Sequence, residues 1–72
     1  WYHRSMLEIS INGAPRQVPA PLSIAALLAS EGLLGKRLAV EKNGEIVPKS
    51  QHASVLVAAG DRLEIVVAVG GG

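Results

Sequence analysis

The sequence ends...RLEIVVAVGGG, and the reactive group this ending offers is the α-carboxylate of Gly72. An unperturbed α-carboxyl has a pKa of about 3.3–3.7, so it is ionised at neutral pH and a poor electrophile. It must be activated before a nucleophile can attack its carbonyl carbon. Glycine has no Cβ, so such a tail adopts extended shapes closed to other residues and is the thinnest peptide that can enter a narrow channel. Three extended residues reach roughly 10 Å, enough to carry the carboxylate from a domain surface into a partner's buried site. At an average glycine usage of about 7%, three terminal glycines arise by chance in roughly 1 chain in 3,000. A cloning linker or an untrimmed tail is the plain explanation. The chemical one makes Gly70 and Gly71 the channel segment and Gly72 the modified residue, with the reaction housed in the partner.

No other constellation competes with the terminus. His52 is the one histidine outside the first five residues, and it has neither a cysteine nor a helically spaced carboxylate as companion. A general base needs an oriented partner, so His52 is expected to be a solvated loop residue. The serines at 10, 23, 30, 50 and 54 fit no nucleophile-elbow pattern. The carboxylates Glu8, Glu31, Glu41, Glu45, Asp61 and Glu64 are scattered as a solubilising face would be. Asn12-Gly13 and Asn43-Gly44 are hairpin signals, and no phosphate-cradling glycine pattern occurs. Lys36-Arg37 reads as a solvated loop. No catalytic residue, metal ligand or bound cofactor is expected in this chain.

The elements that must carry the terminus are legible. Leu7, Ile9 and Ile11 alternate with Glu8 and Ser10, which predicts a half-buried first strand. A short return strand around Arg16–Val18 follows, made edge-like by Pro15, Pro19 and Pro21. Ser23 is placed to cap a helix whose apolar stripe is Ile24, Leu27 and Leu28. Gly32 closes it, and Leu33 and Leu34 are expected to fold back onto the core. Residues 38–42 predict a third strand and residues 45–47 a short fourth, stopped by Pro48. Residues 49–55 predict a loop or a single helical turn. After the Gly60-Asp61 turn, Arg62 to Val69 predicts the last strand, with Leu63, Ile65, Val67 and Val69 on one face. Its other face changes from Arg62 and Glu64 to Val66 and Ala68. That face is either covered twice or presents a docking patch at Val66 and Ala68. One helix cannot cover both sides of a sheet, so the expected class is α+β: a single mixed sheet with one main helix across one face.

Composition bounds the rest. A chain of 72 residues has room for one core, little room for a deep cleft, and so little scope for autonomous catalysis. Met6 is the sole methionine, and residues 1–5 (WYHRS) read as a cloning remnant ahead of a domain over 6–69 and a glycine tail over 70–72. Setting Arg4 aside takes Lys plus Arg from 7 to 6, equal to the 6 of Asp plus Glu. A neutral domain lacks the basic footprint of nucleic-acid binding. No apolar run approaches the ~20 residues of a membrane span. The absence of cysteine fits a cytoplasmic setting and removes disulfides and thiolate metal sites.

Three features together are similar to one family: the segment NGEIVP (Asn43 to Pro48), the strand GDRLEIVxAV (Gly60 to Val69) and the terminal glycines. They resemble the thiamine-biosynthesis sulfur carriers, a bacterial ubiquitin-like family with the β-grasp fold, over essentially Met6–Gly72. Two positions depart from it: Val67, where a polar or aromatic residue is common, and His52, where an aromatic often sits. The resemblance implies that an adenylyltransferase similar to the ubiquitin-activating enzymes uses ATP to convert the Gly72 carboxylate to an acyl-adenylate. Sulfur, ultimately from a cysteine desulfurase persulfide, then leaves a thiocarboxylate. Thiazole synthase would be the acceptor site, where sulfur passes to an intermediate derived from deoxyxylulose phosphate. The related small subunit of molybdopterin synthase is the alternative within the same chemistry. A covalent protein modifier joined through Gly72, and a β-grasp RNA-binding or regulatory module, are the alternatives outside it.

Overall fold

Asn12 and Gly13 take φ angles of 51° and 85°, the paired left-handed conformation that folds one strand tightly onto the next. They join β1 (Met6–Ile11) to β2 (Ala14–Pro19), antiparallel from Met6↔Pro19 to Ile11↔Ala14. The computed structural model describes residues 5–68. The proposed remnant, save Ser5, and the glycine tail lie outside the described residues.

β2 is longer than the expected Arg16–Val18 and contains both Pro15 and Pro19. The ladder accommodates them by parity. Ala20 N donates to Ser5 O at 2.8 Å, so the even positions of β2 bond β1. Pro15 and Pro19 fall on odd positions of an edge strand, where no amide hydrogen is required.

Helix α1 (Ile24–Ser30) has only 7 residues, too few to persist alone, and every early amide finds an acceptor. Ile24 N donates to Val55 O (3.0 Å) and Ala25 N to His52 O (2.7 Å). Ala26 N donates to the Ser23 hydroxyl at 3.0 Å, the expected cap. At the other end, Leu33 N donates to Leu28 O (2.8 Å) and Gly32 N to Ala29 O (3.1 Å), with Gly32 at φ 74°. This pair of bonds is a Schellman closure, and it turns Leu33 toward Leu28 and the core. The same geometry turns Leu34 away. Its 70% exposure corrects the expectation that both leucines fold back.

β3 (Leu38–Lys42) and β4 (Glu45–Val47) form a second hairpin through Asn43 and Gly44, at φ 54° and 86°. A single 3-10 turn covers Lys49–Gln51. β5 (Arg62–Val67) then enters the middle of the sheet, parallel to β1 and antiparallel to β3. The order is β2-β1-β5-β3-β4, with α1 across one face. This is the expected ubiquitin-like β-grasp arrangement. Between helix and sheet lie Ile9, Ile11, Ile24, Leu27, Val40, Leu63 and Ile65, all buried.

Two readings of polar residues are overturned. His52 is not solvated: it is 8% exposed, and its Nε2 lies 3.0 Å from Val47 O. A carbonyl can only accept, so Nε2 carries the proton. With its own carbonyl accepting from Ala25 N, His52 ties the end of β4 to the start of α1. We expect His52→Ala to lower stability by about 1–3 kcal/mol, through loss of this bond and the void left by the ring. Thermal denaturation measures the loss; function per folded molecule should be unchanged.

Asp61 likewise is no part of a solvated face, being 6% exposed. Its Oδ2 accepts from Ala58 N at 2.7 Å and lies 3.5 Å from Lys42 Nζ; its Oδ1 accepts from Asn43 Nδ2 at 3.0 Å. A buried carboxylate with every neighbour donating closes the turn before β5.

Candidate functional site

β5 leads directly to the terminus, so what fixes β5 fixes where the terminus starts. Backbone pairing with β1 is brief, limited to Ser10↔Arg62 and Ile11↔Leu63. Asn12 prolongs it with its side chain: Oδ1 accepts from Ile65 N at 2.8 Å and Nδ2 donates to Ile65 O at 3.1 Å. The amide thus acts as one further residue of β1. On the other side Asn43 does a similar service, its Oδ1 accepting from Arg62 N at 2.9 Å and its N donating to Arg62 O at 2.8 Å. Both hairpin asparagines therefore grip the same central strand, a role sequence did not reveal.

The strand ends earlier than the expected Val69. Ala68 follows β5 and is held by one bond, its N donating to Arg37 O at 2.8 Å. Val67, on the face of Leu63 and Ile65, is 36% exposed, since β1 no longer flanks β5 at this level. Val69, Gly70, Gly71 and Gly72 lie outside the described residues. Among the described residues there is no group of three or more His, Cys, Asp or Glu that could hold a metal, and no helix long and apolar enough to cross a membrane.

The sheet face opposite α1 presents Val66, 64% exposed, with Ala68 also exposed. Register adds two residues that sequence did not single out. Ala39 pairs with Val66, and Ile46, 71% exposed, sits on β4 beside Glu41. Glu41 and Glu64 face each other across β3 and β5 on the same surface. The patch is therefore apolar, bordered by Glu41, Glu64 and, further along β5, Arg62.

A second concavity lies at the C-terminal end of α1. It is an open groove of about 450 Å³ between Leu33–Leu38 and the His52–Ala53 segment. This is more room than the chain length led us to expect. Its lining holds no serine, cysteine or carboxylate, and the His52 Nε2 is already bonded. No nucleophile and base are brought together there.

With this geometry established, comparison with known proteins becomes decisive. Residues 9–72 match the ThiS family. The chain belongs to the ThiS family. The match runs to residue 72 and so takes in all three terminal glycines.

Among solved structures, the chain is similar to the crystal structure of the thiamine biosynthesis protein ThiS from Geobacter metallireducens. The TM-score is 0.77 at 28% identity, covering 92% of this chain and 100% of that one. The solution structure of a thiamine biosynthesis protein from the same organism gives a TM-score of 0.74 at 28% identity, covering 92% and 88%. The family's β-grasp fold is thus common to these chains. Among curated relatives, the thiazole synthase of Paramagnetospirillum magneticum is 47% identical over 66 residues, 92% of this chain but 20% of the relative. That of Magnetococcus marinus is 30% identical over the same shares. This chain thus spans about a fifth of the length of those two proteins. The uncharacterized protein ycf40 of Porphyra purpurea is 35% identical over 66 residues and is covered to 93%.

Proposed function

We propose that this chain is a sulfur carrier for the thiazole of thiamine, working through the carboxyl group of Gly72. The observation that carries this reading is the family match extending through Gly70, Gly71 and Gly72. The similarity to a ThiS thiamine biosynthesis protein, and to a segment of two thiazole synthases, supports the same pathway.

The chemistry follows from the weakness of an ionised carboxylate as an electrophile. In the active site of an adenylyltransferase similar to the ubiquitin-activating enzymes, a Gly72 carboxylate oxygen attacks the α-phosphorus of ATP and pyrophosphate leaves. The resulting mixed anhydride has AMP as a good leaving group. A persulfide sulfur derived from a cysteine desulfurase attacks the carbonyl carbon and expels AMP, giving an acyl disulfide. A thiol then cleaves the sulfur–sulfur bond, leaving the thiocarboxylate on Gly72 and a new disulfide on the donor side. Inside thiazole synthase the thiocarboxylate gives up its sulfur. A cytoplasmic setting, where ATP is available, is compatible with this chemistry. The chain itself is a protein co-substrate rather than an enzyme. Gly70 and Gly71 contribute by their lack of side chains, and the domain contributes a rigid base for the tail.

Docking falls to the Val66 and Ala68 face, where apolar area can be buried and Glu41 and Glu64 can meet cationic groups of the partner. Val66→Asp should raise the KM of the adenylyltransferase for this chain about ten-fold, with kcat little changed, as loss of a central apolar contact does. Steady-state pyrophosphate release against carrier concentration measures it.

The deciding experiment is intact-mass spectrometry after incubation with ATP, the adenylyltransferase and a sulfur source. Exchange of one terminal oxygen for sulfur is the expected result. An unmodified mass, with the adenylyltransferase shown active on another carrier, would refute the reading. An isopeptide link to lysine would make the chain a protein modifier instead.

A further inference from the structure

We propose that the groove at the C-terminal end of α1 receives an acidic, leucine-bearing segment of a partner protein. This surface is separate from the outer sheet face, and the proposal does not depend on the sulfur chemistry. The groove has two kinds of wall. Leu33, Leu34 and Leu38 give it an apolar side. Leu34 is the telling one: it sits on a turn closed by Lys36 N donating to Leu33 O at 3.1 Å, with Gly35 at φ 82°, and is 70% exposed. Turn tips are ordinarily polar, and a leucine held out on one gains by being covered.

Lys36, Arg37 and Lys49 supply the other wall, and no carboxylate lines the groove. Of the three other cations among the described residues, Arg62 on the sheet is likewise without an ion pair, but two are paired. Arg16 reaches Glu31 at 2.9 Å and Lys42 reaches Asp61 at 3.5 Å. Among the described residues, Lys36, Arg37 and Lys49 have no such ion pair. In a sequence of nearly balanced charge, three unneutralised cations on one groove form a local field, not a reflection of net charge.

An occupant must match both walls. The chain's own Gly70, Gly71 and Gly72 offer a carboxylate but no side chains for the leucines. A nucleic acid offers charge, yet the described residues contain no Phe, Tyr or Trp, and the His52 ring is buried and so not open to a stacking base. A peptide with leucines on one side and Asp or Glu on the other satisfies the leucines and the cations together. Arg37, at the rim, also accepts from Ala68 N, so the bound segment would lie beside the point where β5 ends.

The test is a titration of the ¹⁵N-labelled full chain with the synthetic peptide DELLEELLDE, with KRLLKKLLKR and DEGGEEGGDE as controls. Saturable shifts of the Leu33, Leu34, Lys36, Leu38 and Ala53 amides are expected with the first peptide only. Arg37→Glu together with Lys36→Glu should weaken it by at least about ten-fold and admit the basic peptide, while amides of the sheet remain in place. Absence of saturable shifts at these amides would overturn the proposal. So would equal binding of the basic peptide, or shifts centred on Ala39 and Val66. Binding that strengthens about ten-fold when Gly70–Gly72 are removed would identify the terminus itself as occupant, and shifts produced only by anionic phospholipid vesicles would identify a membrane; either result overturns it.

Discussion

Removing Gly71 and Gly72 will abolish thiocarboxylate formation and leave the melting temperature within about 3 °C of the full chain. The two halves of this result have separate causes. The described hydrogen bonding of β5 runs as far as Ala68 N on Arg37 O, and the buried core cluster spans Ile9 to Ile65. The carbon proposed to react, in contrast, is the carbonyl of Gly72. Shortening the chain by two residues withdraws it by roughly 7 Å, far beyond the sub-ångström placement that adenylation requires. Intact mass and differential scanning calorimetry on the same sample give both readings. A modified truncated chain, or a drop of ten degrees or so, would show that the terminus is not what the domain presents.

Replacing Leu63 with alanine should produce the opposite pattern. Leu63 is 1% exposed on the central strand, between Ile11 of β1 and Lys42 of β3 in the ladder. Large-to-small changes at such sites cost about 2–5 kcal/mol. Domains have roughly 0.05–0.15 kcal/mol of stability per residue, so a domain of this size holds only about 4–11 kcal/mol. The variant should melt about 10 °C lower or worse. Yet the chemistry does not touch Leu63, so whatever fraction is folded at low temperature should be adenylated at the normal rate. Circular dichroism gives the folded fraction, and pyrophosphate release normalised to it gives the rate. A rate that falls further than the folded fraction would mean the core also shapes the partner-facing surface.

Local patterning carried most of the architecture. Strict alternation in residues 7–11, the Ser23 cap and the two Asn-Gly turns each act within a few residues, and the structure has all of them. Long-range partnerships were hidden for the same reason. The Asn12 grip on Ile65 joins positions 53 apart, and nothing near Asn12 marks its side chain for anything beyond the turn. Asp61 looked like one solvated carboxylate among several until Asn43 and Lys42 came round to meet it. His52 was hidden likewise, because the carbonyl it bonds, Val47 O, and the helix start that its own carbonyl caps lie on other elements. Ile46 had a weak signal: Ile46 and Val47 are adjacent, so on a strand one of them must face outward. The groove was illegible because Lys36, Arg37 and Lys49 meet only through the turn after α1 and the turn after β4.

The strand at the centre of the sheet is the last among the described residues. During synthesis the ribosome therefore delivers both hairpins and the helix before the piece that joins them. Until residue 67 has emerged, each hairpin has an open flank and the helix has only half its floor. A polypeptide released early would keep those flanks bare and be exposed to proteases.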